Sequence, residues 1–273
     1  MTQKTVYTAL KRGTICGKLC IEKKGLPPGA AVWYHVARES RRGRMTVNRA
    51  QYLLLEEYME RCMGDSAHDS GHVRRVLAAA LDIARTEPGT DTDVLIAACL
   101  LHDIGRAEQL ADPRRDHAAV GAEKARRFLT EHGFGADFAQ RTADCIRVHR
   151  FRTDARPETP EARALFDADK LDVTGAVGIA RTLFYQGETG QPLYSTDAAG
   201  AIRDGTGADE PPSFFREYRF KLETLYDGFL TARGRELAAA RRAAAVGFFE
   251  ALRSEVAAFG AGSGGPPAEV REK

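Results

Sequence analysis

The chain has little of what secreted and membrane proteins depend on. Its five cysteines, at positions 16, 20, 62, 99 and 145, are odd in number and irregular in spacing. That argues against a disulfide framework and for a reducing compartment. Cys16 and Cys20, with His35 beyond them, form C-x3-C without a second pair, which is not a zinc pattern. The longest uninterrupted apolar run covers residues 94–101, far short of the roughly 20 residues a membrane span needs. Residues 1–13 hold neither an apolar segment nor a small-residue cleavage site, so no secretory leader and no membrane partner are expected, and the expected location is the cytoplasm. No glycine-rich phosphate loop, Ser-His-Asp order or catalytic cysteine pattern is present.

What remains is an ordinary globular composition: 273 residues, 43% hydrophobic and 29% charged. A chain near this length can bury roughly 75% of its unfolded surface, enough for a core without staples. The net charge of +2 conceals an asymmetry. Residues 1–50 carry eleven Lys and Arg against two acidic residues, while the remainder is net acidic by seven. The basic segment would suit nucleic acid or a polyanion. No nucleic-acid motif lies in it, and a solvated basic face is the favoured reading.

Residues 1–45 read as a small β-rich appendage, short β-favouring runs punctuated by glycine and Pro27-Pro28-Gly29. From residue 46 the period becomes helical. Helices are expected near 46–62, 66–86, 91–104, 116–132, 135–149, 160–186, 213–231 and 233–258, giving an all-α body over 46–258. The segment 186–212, rich in Gly, Asp, Thr and Pro, reads as a mobile lid or rim. Residues 259–273 read as a flexible tail.

The ionisable residues are placed unusually. His72 lies on the apolar stripe of its helix with Val76 and Ala80, where a polar ring needs a partner or a metal. His102 and Asp103 close the apolar run 94–101, and consecutive imidazole and carboxylate donors can bind one divalent ion. Asp169 falls on an inward row with Leu165 and Asp172. His68 and Asp69, one helical turn from His72, are candidates for general acid or base.

The ordered set, His in AHDSGHVRRV, His-Asp in ACLLHDIGR and Asp in DADKLD, resembles the HD-domain superfamily of metal-dependent phosphohydrolases, in particular its small bacterial subgroup. Gly-x-x-Gly-x-x-Arg ending at Arg181, and the late motif of Lys221, Leu222, Thr231, Gly234, Leu237 and Ala238, extend the likeness over about residues 50–258. The resemblance implies an all-α HD-domain helical bundle with a metal at its centre, ligated by His72, His102, Asp103 and Asp169. It implies Arg75, Lys170, Arg181 and Lys221 as cations for a substrate phosphate. For Lys170 the alternative is an ion pair with Asp167. For Arg181, twelve residues beyond Asp169 on one expected helix, the reach is to an extended substrate or the lid. Binuclear relatives add histidines between the His-Asp pair and the last Asp. His117 and His149 therefore open the option of a second metal, the alternative being His149 on a phosphate oxygen and His117 as a helix cap.

Two imidazoles and two carboxylates suit Mn2+, Fe2+, Co2+, Ni2+, Zn2+ or Mg2+. The function expected is hydrolysis of a nucleotide or other small phosphate ester by a metal-activated water. The alternatives are a di-iron oxygenase of the same architecture and a non-catalytic nucleotide sensor.

Overall fold

The computed structural model describes residues 46–63, 70–150 and 156–260. The β-rich appendage expected over 1–45, and the tail beyond residue 260, lie outside the described residues. Within them there is no sheet, only an isolated antiparallel bridge between Thr196 and Ile202. No described helix is long and apolar enough to cross a membrane.

The element order is α1 Arg49–Met63, α2 Ser70–Ala84, α3 Thr92–Leu101, α4 Arg106–Ala111, α5 His117–Glu131, α6 Ala136–Arg147, α7 Pro160–Leu171, α8 Gly175–Glu188, α9 Phe214–Glu217 and α10 Ala232–Gly260. A π-helical turn, Tyr218–Leu222, and a 3-10 turn, Leu225–Asp227, lie between α9 and α10. Helix α3 is the axle. Its residues Val94, Leu95, Ala97, Ala98, Cys99, Leu100 and Leu101 are all buried, and it packs against α1, α2, α6 and α7. A helix apolar all round belongs at the centre of a bundle. Its N-terminus is fixed by a buried clip in which the Asp91 backbone N–H donates to Glu161 of α7 at 2.5 Å, while Arg141 of α6 donates to the Asp91 carboxylate at 3.0 Å.

The helix expected over 160–186 is two helices. Asp172 caps α7 and residues 172–174 turn the chain. Gly175 takes φ +62°, a left-handed conformation that favours glycine, and its N–H donates to the Tyr226 hydroxyl at 3.1 Å. The helix expected over 213–231 is likewise the short α9 with the two irregular turns.

Two sequence features prove structural. Asp167, buried inside α7, accepts from Leu230 N at 2.8 Å, from Thr231 N at 2.7 Å and from the Thr231 hydroxyl at 2.6 Å. The same hydroxyl accepts from Gly234 N at 2.9 Å, capping α10. A methyl group at position 234 would collide with the Asp167 carboxylate and lie 2.8 Å from Thr231 Oγ1, so the motif Thr-x-x-Gly records this docking of α10 on α7. The segment between α8 and α9, expected to be a mobile lid, is closed on itself. Glu210 accepts from Gly205 N and Gly207 N, Asp197 accepts from Ala199 N and Ala201 N, and Phe214 N and Phe215 N donate to the carbonyls of Pro192 and Leu193. Tyr194 and Ile202 from this segment pack on a second apolar cluster built from Ile179, Phe214, Phe215, Tyr218, Leu222 and Phe249.

Candidate metal centre

Six side chains from five segments meet beside the C-terminal end of α3. His72 comes from the first turn of α2, His102 and Asp103 from the corner after α3, His117 from the first turn of α5, His149 from just beyond α6 and Asp169 from the last turn of α7. They form two groups, His72, His102 and Asp169 in one and Asp103, His117 and His149 in the other. In the first, the Nε2 atoms of His72 and His102 are 3.3 Å apart, and Asp169 Oδ1 is 3.3 Å and 3.8 Å from them. In the second, the Nε2 atoms of His117 and His149 are also 3.3 Å apart.

Asp103 joins the groups. Its Oδ2 lies 3.6 Å and 3.7 Å from Nε2 of His72 and His102, while its Oδ1 lies 3.5 Å and 3.7 Å from Nε2 of His117 and His149. Oδ2 is buried and has no hydrogen-bond partner among the described residues. A buried carboxylate oxygen without a donor is costly unless something else satisfies it.

All four rings are turned alike. Nδ1 of His102 donates to the Cys99 carbonyl at 2.7 Å, Nδ1 of His149 to the Ile146 carbonyl at 2.6 Å, and Nδ1 of His117 to Gln109 Oε1 at 2.7 Å. Nδ1 of His72 donates to Asp172 Oδ2 at 2.7 Å. With each Nδ1 carrying the proton, each Nε2 presents a lone pair to the centre once His72 gives up the second proton that Asp169 draws to it. Paired nitrogen lone pairs 3.3 Å apart, facing carboxylate oxygens, repel one another unless a cation stands among them. The donor set thus fits divalent metal, and fits two ions with Asp103 between them.

The electrostatics agree. Burial holds His102 down at about 4 and His117 at about 3, so both are neutral donors near neutral pH. Burial also works against charge on His72, but hydrogen bonding to Asp169 and Asp172 outweighs it and lifts the ring to about 9, a sign that these carboxylates draw positive charge to that point. Burial would raise Asp103 and Asp169, yet the surrounding rings, with Arg106 beside Asp103, hold both below the usual carboxylate range. Asp169, with its side chain 25% exposed, is the one member of the six that solvent reaches.

The other expected site residues fare differently. His68 and Asp69 lie outside the described residues. Arg75 makes a two-pronged contact with Asp172, at 2.7 Å and 3.0 Å. Because α8 is a separate helix, Arg181 folds back beside Asp172 and 2.7 Å from His72 Nδ1, on the side of the ring away from the centre, rather than three turns beyond Asp169. Lys170 is buried, donates to the Gly228 carbonyl at 2.9 Å and lies over the Phe166 ring. Lys221 is exposed on the π-helical turn and pairs with Glu217 at 2.6 Å, apart from the six-residue cluster. His117 is not the cap of α5; Asp116 is. Sequence reasoning missed Arg106, which donates to Asp103 Oδ1 at 2.9 Å, and Gln109. Arg106 stands in the His-Asp motif itself, three residues after Asp103, which was the available signal.

Comparison with known proteins agrees with this architecture. Residues 70–174 match the HD domain. The uncharacterized protein YpgQ of Bacillus subtilis is 30% identical over 196 residues, covering 70% of this chain and 85% of that protein. The crystal structure of YpgQ in complex with ADP is similar with TM-score 0.59 at 26% identity, over 76% of this chain and 98% of that one. A predicted HD-superfamily hydrolase from an uncultured Thermotogales bacterium is similar with TM-score 0.51 at 28% identity, over 76% of this chain and 92% of that one. A central apolar helix ending in His102-Asp103, ligands gathered onto it from the surrounding helices, and these likenesses together mean that the chain belongs to the HD-domain superfamily.

Proposed function

We propose that the protein is a metal-dependent phosphohydrolase that cleaves a nucleotide or another small phosphate ester at a two-ion centre. The observation that carries this reading is the Asp103 carboxylate, with one oxygen toward His72 and His102 and the other toward His117 and His149. His72, His102, Asp169 and Asp103 would hold one ion, and His117, His149 and Asp103 would hold the second. Divalent ions bound here supply Lewis acidity toward water and toward the phosphoryl oxygens. With neutral imidazoles, the six side chains contribute only the two negative charges of Asp103 and Asp169. Two divalent ions then leave a net positive centre, which suits an anionic phosphate. Burial of five of the six ligands excludes bulk water and leaves entry past Asp169. Arg106, 27% exposed and donating to Asp103, is the candidate to meet a phosphate oxygen. His68 and Asp69 are proposed as the acid or base next to His72. The ADP bound to YpgQ supports the nucleotide class.

The test is a screen of nucleoside mono-, di- and triphosphates against Mn2+, Mg2+, Co2+, Ni2+, Zn2+ and Fe2+, with products identified. Release of phosphate or pyrophosphate is expected, with both activity and bound metal lost in Asp103→Ala. A fully loaded protein that releases neither from any substrate would overturn the reading. The six-ligand set also meets the requirement of a di-iron oxygenase. Iron bound at two per chain with a mixed-valence spectrum, and no phosphate release, would select that alternative.

A further inference from the structure

We propose that the two half-sites fill in order, and that Gln109 governs the second step by holding His117 in its ligating orientation. This rests on the two-ion reading above. The rings present the same nitrogen to the centre, so the half-sites differ in what stands behind them. Behind His72 is a carboxylate, Asp172, buried and gripped in turn by Arg75 and Arg181. Behind His117 is a neutral amide, Gln109 Oε1 at 2.7 Å. A carboxylate behind an imidazole both orients it and makes it a stronger donor, whereas an amide only orients it. The amide is not free to turn over, because its Nε2 donates to the Arg115 carbonyl at 3.1 Å, leaving Oε1 for the ring.

The platforms differ as well. Asp172 ends a helix whose residues are mostly buried, while Gln109 belongs to α4, six residues long with none buried. Charge acts in the same direction. The first half-site has oxygens from Asp103 and Asp169. The second has only Asp103 Oδ1, on which Arg106 Nε already rests at 2.9 Å as a competing donor. The first half-site therefore fills at lower metal concentration, and the second fills only while Gln109 keeps His117 turned inward. Activity that needs both ions would then follow metal supply through the weaker half.

The experiment is a Mn2+ titration of the metal-stripped full-length protein by calorimetry, with bound manganese counted by elemental analysis, on wild type, Gln109→Leu and Gln109→Glu. Wild type should show two unequal steps. Gln109→Leu should keep the first step and weaken the second about 10–100-fold, while Gln109→Glu, which returns an acceptor to Nδ1 of His117, should restore it. Circular dichroism of the metal-free variants checks that α4, already exposed, still folds. Two equal steps in wild type, or an unchanged second step in Gln109→Leu, would overturn the ordering or the role of Gln109 and leave two ions standing. So would equal loss in both variants. A wild type that takes up a single ion at saturation removes the two-ion reading and this inference with it.

Discussion

A carboxylate at the C-terminal end of a helix faces the negative pole of the helix dipole, and Asp172 stands at that end of α7. It is held there by three partners, the His72 ring, the forked Arg75 guanidinium and Arg181, which together hold it down at about 2 against the pull of burial. The residue is therefore a positioning group for His72, and its removal should be felt at the metal rather than in the fold. Asp172→Asn is expected to weaken binding at the first half-site by about 10–100-fold, read by Mn2+ competition against a chelating dye. Unchanged affinity would make Asp172 a purely structural anchor. His72, His102, Asp103 and Asp169 were legible in the chain because their order and spacing are local to three motifs. Asp172 was visible as an inward residue, but its partners were not, because Arg75 is 97 residues away and Arg181 depends on a turn of the backbone.

That turn belongs to the scale of elements. The apolar period runs nearly unbroken through 160–186, and periodicity alone does not register a break that keeps the same apolar faces. The signal was Gly175, whose positive φ ends the run, and the β-branched Val173 and Thr174 before it. Splitting the helix overturns the distance that kept Arg181 from the metal ligands. The late motif around Thr231 and Gly234, given in the sequence only as part of the family likeness, is an anchorage. Asp167 caps α10 through Thr231, and glycine is needed at 234 for the carboxylate to approach. Gly234→Ala should cost about 2 kcal/mol or more, lowering Tm by roughly 4–8 °C in a chain of this size, with manganese content unchanged. A Tm equal to wild type would show that the α7–α10 junction relaxes freely. The segment between α8 and α9, expected as a mobile lid or rim, is built from turns that close on themselves. Gly, Asp and Thr are also the residues that close tight turns on themselves, as Asp197 and Glu210 do here, and composition does not separate the two uses.

At the scale of the whole molecule, the centre ties together α2, α3, α5, α6 and α7, segments separated by up to 97 residues between His72 and Asp169. An ion that binds only the folded arrangement stabilises it by mass action, by about 2.7 kcal/mol at a free concentration 100 times its dissociation constant. Stripping the protein with a chelator should therefore lower Tm by several degrees, and adding Mn2+ should restore it in two concentration ranges if the half-sites differ as proposed. A Tm indifferent to chelation would mean that helix packing alone holds the ligands in place. The all-α bundle and its central helix could be read from the eight-residue apolar run and the helical periods. The pairing of His117 and His149 was offered by the family resemblance and not by their spacing, since 32 residues separate them and packing of α5 on α6 brings them within 3.3 Å.

On the two-ion proposal, Asp103 serves both halves with one side chain, so a change there costs both ions while a change at a histidine costs one. A lineage can discard the second ion by a single codon change at His117 or His149 and keep the first half whole. It cannot discard the first while keeping the second by any change at Asp103, and losing His72 or His102 leaves behind the half with fewer oxygens. One-ion descendants of such a centre should accordingly be found with altered residues at the positions of His117 and His149, while the His-Asp pair persists as long as any metal is bound at all.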